Sequence, residues 1–166
     1  MSNNPEHHLH QYRTGVEAEW LDYNGHMNVA YYTLAFDRAG EQFVASVGLS
    51  EAQTRETGNS WMVTEAHITY QNEAMSGDKL EIKSRILALD AKRIHLFQSM
   101  IRTDDATLLA TSEQLILHVN LKQRKVEPFA PQVMQKLQQL WEMHNRLEPP
   151  PEAGRSISID SRRPSS

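Results

Sequence analysis

Apolar residues at Tyr32, Phe36, Ala39, Phe43 and Val47 are spaced by three or four positions. That spacing predicts a helix over residues 28–47 with these side chains on one face. Asn28 suits its N-cap and Gly48 its C-cap. Some twenty residues at about 1.5 Å each span roughly 30 Å, so the helix needs a broad surface to lie on. The flanking segments supply one. In residues 14–21, Val16, Ala18 and Trp20 alternate with Gly15, Glu17 and Glu19, as in a strand. Residues 60–70 read as a strand with Met62, Ala66, Ile68 and Tyr70 set against Trp61, Val63, Glu65 and His67. Residues 79–89 set Leu80, Ile82, Ile86 and Ala88 against Lys79, Glu81, Lys83 and Arg85.

Two further strands follow at 93–103, where Ile94, Leu96 and Met100 share a face, and at 108–121. The turns at Ser76-Gly77-Asp78, Asp90-Ala91-Lys92 and Thr103-Asp104-Asp105 are short, which makes the strands antiparallel. A second helix is predicted over 131–147, with Val133, Leu137, Leu140, Trp141 and His144 along one stripe, and Pro149-Pro150-Pro151 ends it. The chain therefore reads as α+β: a strand, a turn, a long helix, four antiparallel strands and a terminal helix. A five-stranded sheet of this kind buries one face on the helix, and a partner subunit is the usual cover for what remains.

The 166 residues suffice for one domain with a core, expected over 14–148, between a flexible terminus at 1–13 and a disordered Ser- and Arg-rich tail at 149–166. No apolar run approaches the roughly 18 residues of a membrane span, and residues 1–10 lack the apolar centre of a secretory signal. The absence of cysteine excludes disulfides and thiol chemistry and fits a cytoplasmic location. A net charge of −4 argues against a nucleic-acid binder, while leaving Arg55, Lys92, Arg93 and Arg124 as candidates to pair with phosphates. His7, His8, His10, His95, His118 and His144 show no metal-ligand spacing, and no metal or separate cofactor is expected.

Candidate chemistry concentrates between the first strand and the long helix, in Asp22-Tyr23-Asn24-Gly25-His26-Met27-Asn28. Thioester hydrolysis needs a carboxylate to attack the carbonyl or activate water, and donors for the oxyanion that develops. A turn that feeds a helix N-terminus offers free N–H groups and a positive dipole end. The segment, with Val29-Ala30-Tyr31-Tyr32 after it, resembles the signature of the 4-hydroxybenzoyl-CoA thioesterase-like and acyl-acyl-carrier-protein thioesterase families. The match falls on Asp22, Gly25, His26, Asn28 and Tyr32. Asn24 and His26 also resemble the Asn-x-His pair of the plant-type acyl-carrier-protein thioesterases. Tyr70 followed by Gly77-Asp78-Lys79-Leu80, and His118-Val119-Asn120 through Lys125 to Pro128, resemble further family segments. The resemblance covers residues 14–131.

It implies a hotdog fold, in which an antiparallel sheet wraps a long central helix, with an extra C-terminal helix here. It implies an acyl-CoA thioesterase with Asp22 as base or nucleophile, Asn24 and His26 in catalysis, and Gly25 and His26 as oxyanion donors. Coenzyme A then belongs to the substrate, and the protein is a homodimer or a dimer of dimers. The wording from Glu19 to Asn28 is most similar to betainyl-CoA thioesterases of bacterial carnitine degradation. A trimethylammonium acyl group favours aromatic faces and a carboxylate. Trp20, Tyr23, Tyr31 and Trp61 with Glu65 are therefore read as a cage, and Asn28 and Tyr32 as further substrate contacts. Each residue also has a structural reading: Asp22 as a turn aspartate, Asn28 as an N-cap, Tyr32 as core, Glu65 as a partner of His67, and Glu41 as a polar helix-face residue. A general short-chain or aromatic acyl-CoA thioesterase, and a non-catalytic acyl-CoA-binding protein, stand as alternatives.

Overall fold

A computed structural model describes residues 8–159. The long helix forms as its spacing predicts: α1 spans Val29–Val47, with the Asn28 side chain accepting the Ala30 N–H at its start and Gly48 closing its end. Tyr32, Phe36, Ala39, Phe43 and Val47 are all buried. A short helix α2 (Glu51–Thr57) follows, which the apolar pattern does not announce because none of its residues is buried. Ser50 and Gln53 close it with a reciprocal capping box.

The strands are β1 (His10–Gly15), β2 (Asn59–Tyr70), β3 (Lys79–Leu89), β4 (Arg93–Arg102), β5 (Leu108–Asn120) and β6 (Lys125–Val126). They form an antiparallel sheet in the order β1-β3-β4-β5-β2, with the two-residue β6 added against β5. The helix α3 (Pro131–His144) follows, ending three residues before the predicted position 147. The first strand lies earlier than the alternation over 14–21 suggests. His10 pairs with Ser84 and Gly15 with Lys79, so residues 10–13 belong to the sheet and not to a flexible terminus. The chain then leaves the sheet through a 3-10 turn at Ala18–Trp20. Val16 and Trp20 are buried beside Tyr32 and Phe36 by that turn rather than by strand pairing. Residues 1–7 lie outside the described residues.

Two bulges reset the faces of the sheet. In β2 the register shifts between Val63 and Glu65: Val63 opposes Ile116, and Glu65 opposes Leu115. Opposed residues share a face, so Trp61 and Val63 join Ala66, Ile68 and Tyr70 on the side of α1, and Glu65 and His67 point outward. The alternation predicted from sequence placed Trp61 with Glu65; one extra residue separates them. A second bulge between Ile86 and Ala88 turns Ala88 outward and Leu89 inward, opposite Ile94.

The core lies between α1 and the sheet in two clusters, one around Phe36, Ile82 and Met100, the other around Phe43, Ile86, Ile94 and Leu137 of α3. A buried polar chain crosses the same face. Gln98 Nε2 donates to the Phe36 carbonyl and Ser84 Oγ, both at 3.2 Å, while Gln114 Nε2 donates to Gln98 Oε1 at 3.2 Å and Ser112 Oγ at 3.0 Å. With each amide hydrogen occupied, these glutamines are tolerated inside.

The segment after α3 stays on the domain instead of departing as a tail. Arg85, buried on the outer face of β3, donates to the carbonyls of His144 (3.0 Å), Leu147 (2.6 Å) and Glu148 (2.6 Å). Further on, the Gly154 N–H donates to Glu113 Oε2 at 2.8 Å. Residues 160–166 lie outside the described residues.

His144 joins the same end of α3 to the β3 bulge. The Ile86 N–H donates to its Nδ1 at 3.0 Å, so the ring proton sits on Nε2, 3.2 Å from the His8 carbonyl. Burial, with the Arg85 charge adding to it, holds this imidazole below the ordinary value of 6.5, against the His8 hydrogen bond. The fold thus favours neutral His144. Stability from this site is complete above the unfolded-state value and falls as pH drops through it toward the depressed folded value. Urea midpoints taken at about pH 7.5 and pH 5 should show a loss at the lower pH that shrinks in His144→Gln, whose amide oxygen can accept the Ile86 N–H without titrating. An identical loss in the variant would remove His144 from the pH response.

Candidate active site

Asp22 opens a turn that folds back on its own carboxylate. Its carbonyl accepts the Gly25 N–H at 3.0 Å, and its N–H donates to the His26 carbonyl at 2.8 Å. Gly25 closes the turn at φ +78°, a left-handed conformation that side chains with a Cβ rarely adopt. Asp22 Oδ1 accepts the N–H groups of Asn24 (2.8 Å) and His26 (3.2 Å). Its Oδ2 meets no donor among the described residues, so one carboxylate oxygen is fixed and the other is left without a protein partner.

The amides named as oxyanion donors from the sequence, Gly25 and His26, are both engaged by Asp22. The open donor is three residues further on. At the start of α1 the Ala30 N–H goes to Asn28 Oδ1 and the Tyr31 N–H to the Asn28 carbonyl. The Val29 N–H, first in the helix, has no acceptor among the described residues. Asn28, Val29 and Ala30 are exposed, so this positive helix end, which follows the Asp22 turn, is open to solvent. Sequence reasoning put the donor at Gly25 and His26 because the sequence does not show which amides the turn consumes; the capping pattern reveals which N–H is left over.

The stretch between β2 and β3 braces the turn. Met27 N–H donates to the Ala74 carbonyl at 2.9 Å, and Ala74 N–H donates to the Tyr32 hydroxyl at 3.0 Å. Burial raises this phenol above its ordinary value of 10.0, against the Ala74 hydrogen bond. Arg102 holds the brace from below, donating to Asp78 Oδ2 at 2.9 Å and the Glu73 carbonyl at 2.7 Å. The brace also brings Glu73 Oε2 to 3.4 Å from His26 Nε2. Glu73 lies 47 positions from His26 in the chain, and no local pattern marks it.

The other predicted site residues divide sharply. Asn28 is the helix cap, and Tyr32 is buried with its hydroxyl on Ala74, so both hold the site rather than face it. Asn24 contributes its N–H to Asp22, and Tyr23 is 97% exposed. Trp20 and Tyr31 do stack, with centroids 5.5 Å apart, but Trp20 is 3% exposed and Arg38 lies 5.7 Å over its ring. A cation already occupies that aromatic face. Trp61 lies over the second half of α1, and Glu65 lies outside the sheet near His95 and Glu113. The predicted five-residue cage does not assemble in one chain. Of the phosphate candidates, Arg55 is paired with Glu51 and Arg93 with Asp90.

An antiparallel sheet curled on a long helix, with an acidic turn at the start of that helix, is the arrangement of the hotdog thioesterases. The thioesterase-like superfamily matches residues 16–137, and the chain belongs to that superfamily. It is 34% identical to the betainyl-CoA thioesterase of Pseudomonas aeruginosa over 91% of this chain and 95% of that protein. It is 36% identical to the L-carnitine dehydrogenase/betainyl-CoA thioesterase of Rhizobium meliloti over 87% of this chain, which spans 29% of that longer protein. A Staphylococcus aureus protein solved in complex with CoA superposes with a TM-score of 0.86 at 27% identity, over 91% of this chain and 95% of that one.

Proposed function

We propose that this protein hydrolyses betainyl-CoA to betaine and CoA, with Asp22 as the reacting carboxylate. The observation that carries the reading is the Asp22 turn itself: Oδ1 is fixed by two amides, Oδ2 is left without a protein partner, and the Val29 N–H stands open at the start of the helix that follows. The thioester carbonyl takes the Val29 N–H as its oxyanion donor, supported by the helix dipole. Asp22 Oδ2 either takes a proton from a water that attacks the carbonyl carbon, or attacks that carbon itself to form an acyl anhydride that a water then hydrolyses. In both routes collapse of the first tetrahedral adduct expels the CoA thiolate, and water supplies the oxygen of the released carboxylate. His26, whose Nε2 lies 3.4 Å from Glu73 Oε2, is a further polar side chain of the turn. The acyl group follows from likeness to the betainyl-CoA thioesterases.

The exposed helix start supports a reading in which one wall of the acyl pocket comes from outside the single chain. A second copy supplies it. β2 is a twelve-residue strand at the sheet edge, with Met62 51% and Tyr70 49% exposed, and such an edge calls for a partner. A homodimer paired through β2 fits. A cytoplasmic setting agrees with the absence of cysteine, and no helix among the described residues is long and apolar enough to cross a membrane.

Release of thiol from betainyl-CoA, a straight-chain acyl-CoA and 4-hydroxybenzoyl-CoA tests the reading. The expected result is the highest kcat/KM for betainyl-CoA. Equal rates across the panel would favour a general acyl-CoA thioesterase, and stoichiometric binding without thiol release a non-catalytic acyl-CoA binder.

A further inference from the structure

We infer that the quaternary ammonium end of the substrate is read by Trp61 and Glu41 of the second copy, in a groove across the dimer from Asp22. The inference rests on the thioesterase reading above and adds to it the recognition of the acyl group.

The groove lies between α1, α2 and β2, holds about 490 Å³, and is lined in part by Glu41, Gln42, Ala45, Leu49, Ser60 and Trp61. Trp61 precedes the β2 bulge and therefore faces α1. Its ring approaches the helix at Gly40: a Cβ there would stand 3.9 Å from Trp61 Cη2 and 3.9 Å from Gln98 Nε2. The indole thus lies on the helix backbone and still lines the groove. Two carboxylates border it. Glu51 is paired with Arg55, whereas Glu41 has no ion-pair partner among the described residues. An aromatic face beside one uncompensated carboxylate is the chemistry that a trimethylammonium group requires, since that group has no N–H to donate. Trp20, the other tryptophan near the turn, already carries Arg38.

Symmetry brings this groove to the reacting turn. Two copies joined at β2 in one continuous sheet, with both helices on the same side, are related by a twofold axis perpendicular to the sheet, and their β2 strands run antiparallel. The Trp61 end of one strand then lies beside the Tyr70 end of the other. Tyr70 packs edge-on against Tyr32, centroids 5.2 Å apart, in the first turn of α1, and the stretch after it braces the Asp22 turn. Asp22 of one copy therefore faces the Trp61 groove of its partner.

The test compares betainyl-CoA with tert-butylacetyl-CoA, which has the same shape with carbon in place of the charged nitrogen. In Glu41→Gln the ratio of kcat/KM for the charged over the neutral substrate should fall about tenfold, as it should in Trp61→Leu. A ratio in the surface variant Glu41→Gln within about twofold of the wild type overturns the assignment of Glu41. Co-expressed Asp22→Asn and Glu41→Gln chains test the crossing of copies. A mixed dimer holds one intact site of two, and random pairing makes about half of the dimers mixed, so betainyl-CoA hydrolysis well below KM should reach about a quarter of the wild-type rate. Turnover no greater than the sum of the two parents overturns the shared site. Failure of the wild-type chain to release CoA from any acyl thioester would instead take down the thioesterase reading, and this inference with it.

Discussion

Asp22→Asn is expected to lower kcat on betainyl-CoA by about 100- to 10,000-fold, the range general-base contributions span, while leaving the fold intact. The substitution isolates charge from geometry. An asparagine Oδ1 can accept the N–H groups of Asn24 and His26 as the carboxylate does, so the turn should keep its shape. What disappears is the negative oxygen at Oδ2, which alone can take a proton from water or attack the carbonyl. The measurement is thiol release at saturating substrate, with the melting temperature as a control. Turnover near the wild-type rate in a normally folded variant would remove Asp22 from the chemical step, and the Val29 amide would then need a different carboxylate to serve.

Arg85→Ala is expected to destabilise the domain by about 3 kcal/mol, which for a domain of this size lowers the melting temperature by about 6–12 °C. The guanidinium satisfies three carbonyls, those of His144, Leu147 and Glu148, where α3 ends without a glycine cap. Removing it leaves the Leu147 and Glu148 carbonyls without that donor, while the His144 carbonyl keeps the Leu147 N–H at 3.1 Å, and also opens the space under the segment leading to Gly154. Arg85→Lys should recover part of the loss, because an ammonium can reach the carbonyls but not in the guanidinium's planar fork. Thermal unfolding followed by circular dichroism reads both. A shift below about 2 °C in Arg85→Ala would show that water replaces the guanidinium at no cost.

Both predictions concern residues the sequence presented differently. Asp22 was legible as chemistry, because a carboxylate ahead of Asn-Gly-His at a helix start is a local feature. Arg85 read as one of four outward polar residues of β3, and its face was right, since the alternation of Leu80, Ile82 and Ile86 fixes it. That the outward side is covered depends on where residues 144–154 travel after α3, about sixty positions away. Glu73 and the Val29 amide were hidden for the same reason. Their significance lies in what stands beside them.

The sequence by itself determined the elements whose residues interact with near neighbours in the chain: α1 with its Asn28 and Gly48 caps, the turns of the antiparallel strands, and the turn from Asp22 to Asn28. Periodicity and capping are short-range physics, and they survive without knowledge of the partner surface. The tertiary structure alone decided what one extra residue in β2 does to Trp61 and Glu65. A bulge costs little locally and is set by fit to the opposing strand, so no pattern within β2 marks it. By inverting the face after Val63 it separates Trp61 from Glu65, leaving Trp61 on a groove that Glu41 also lines.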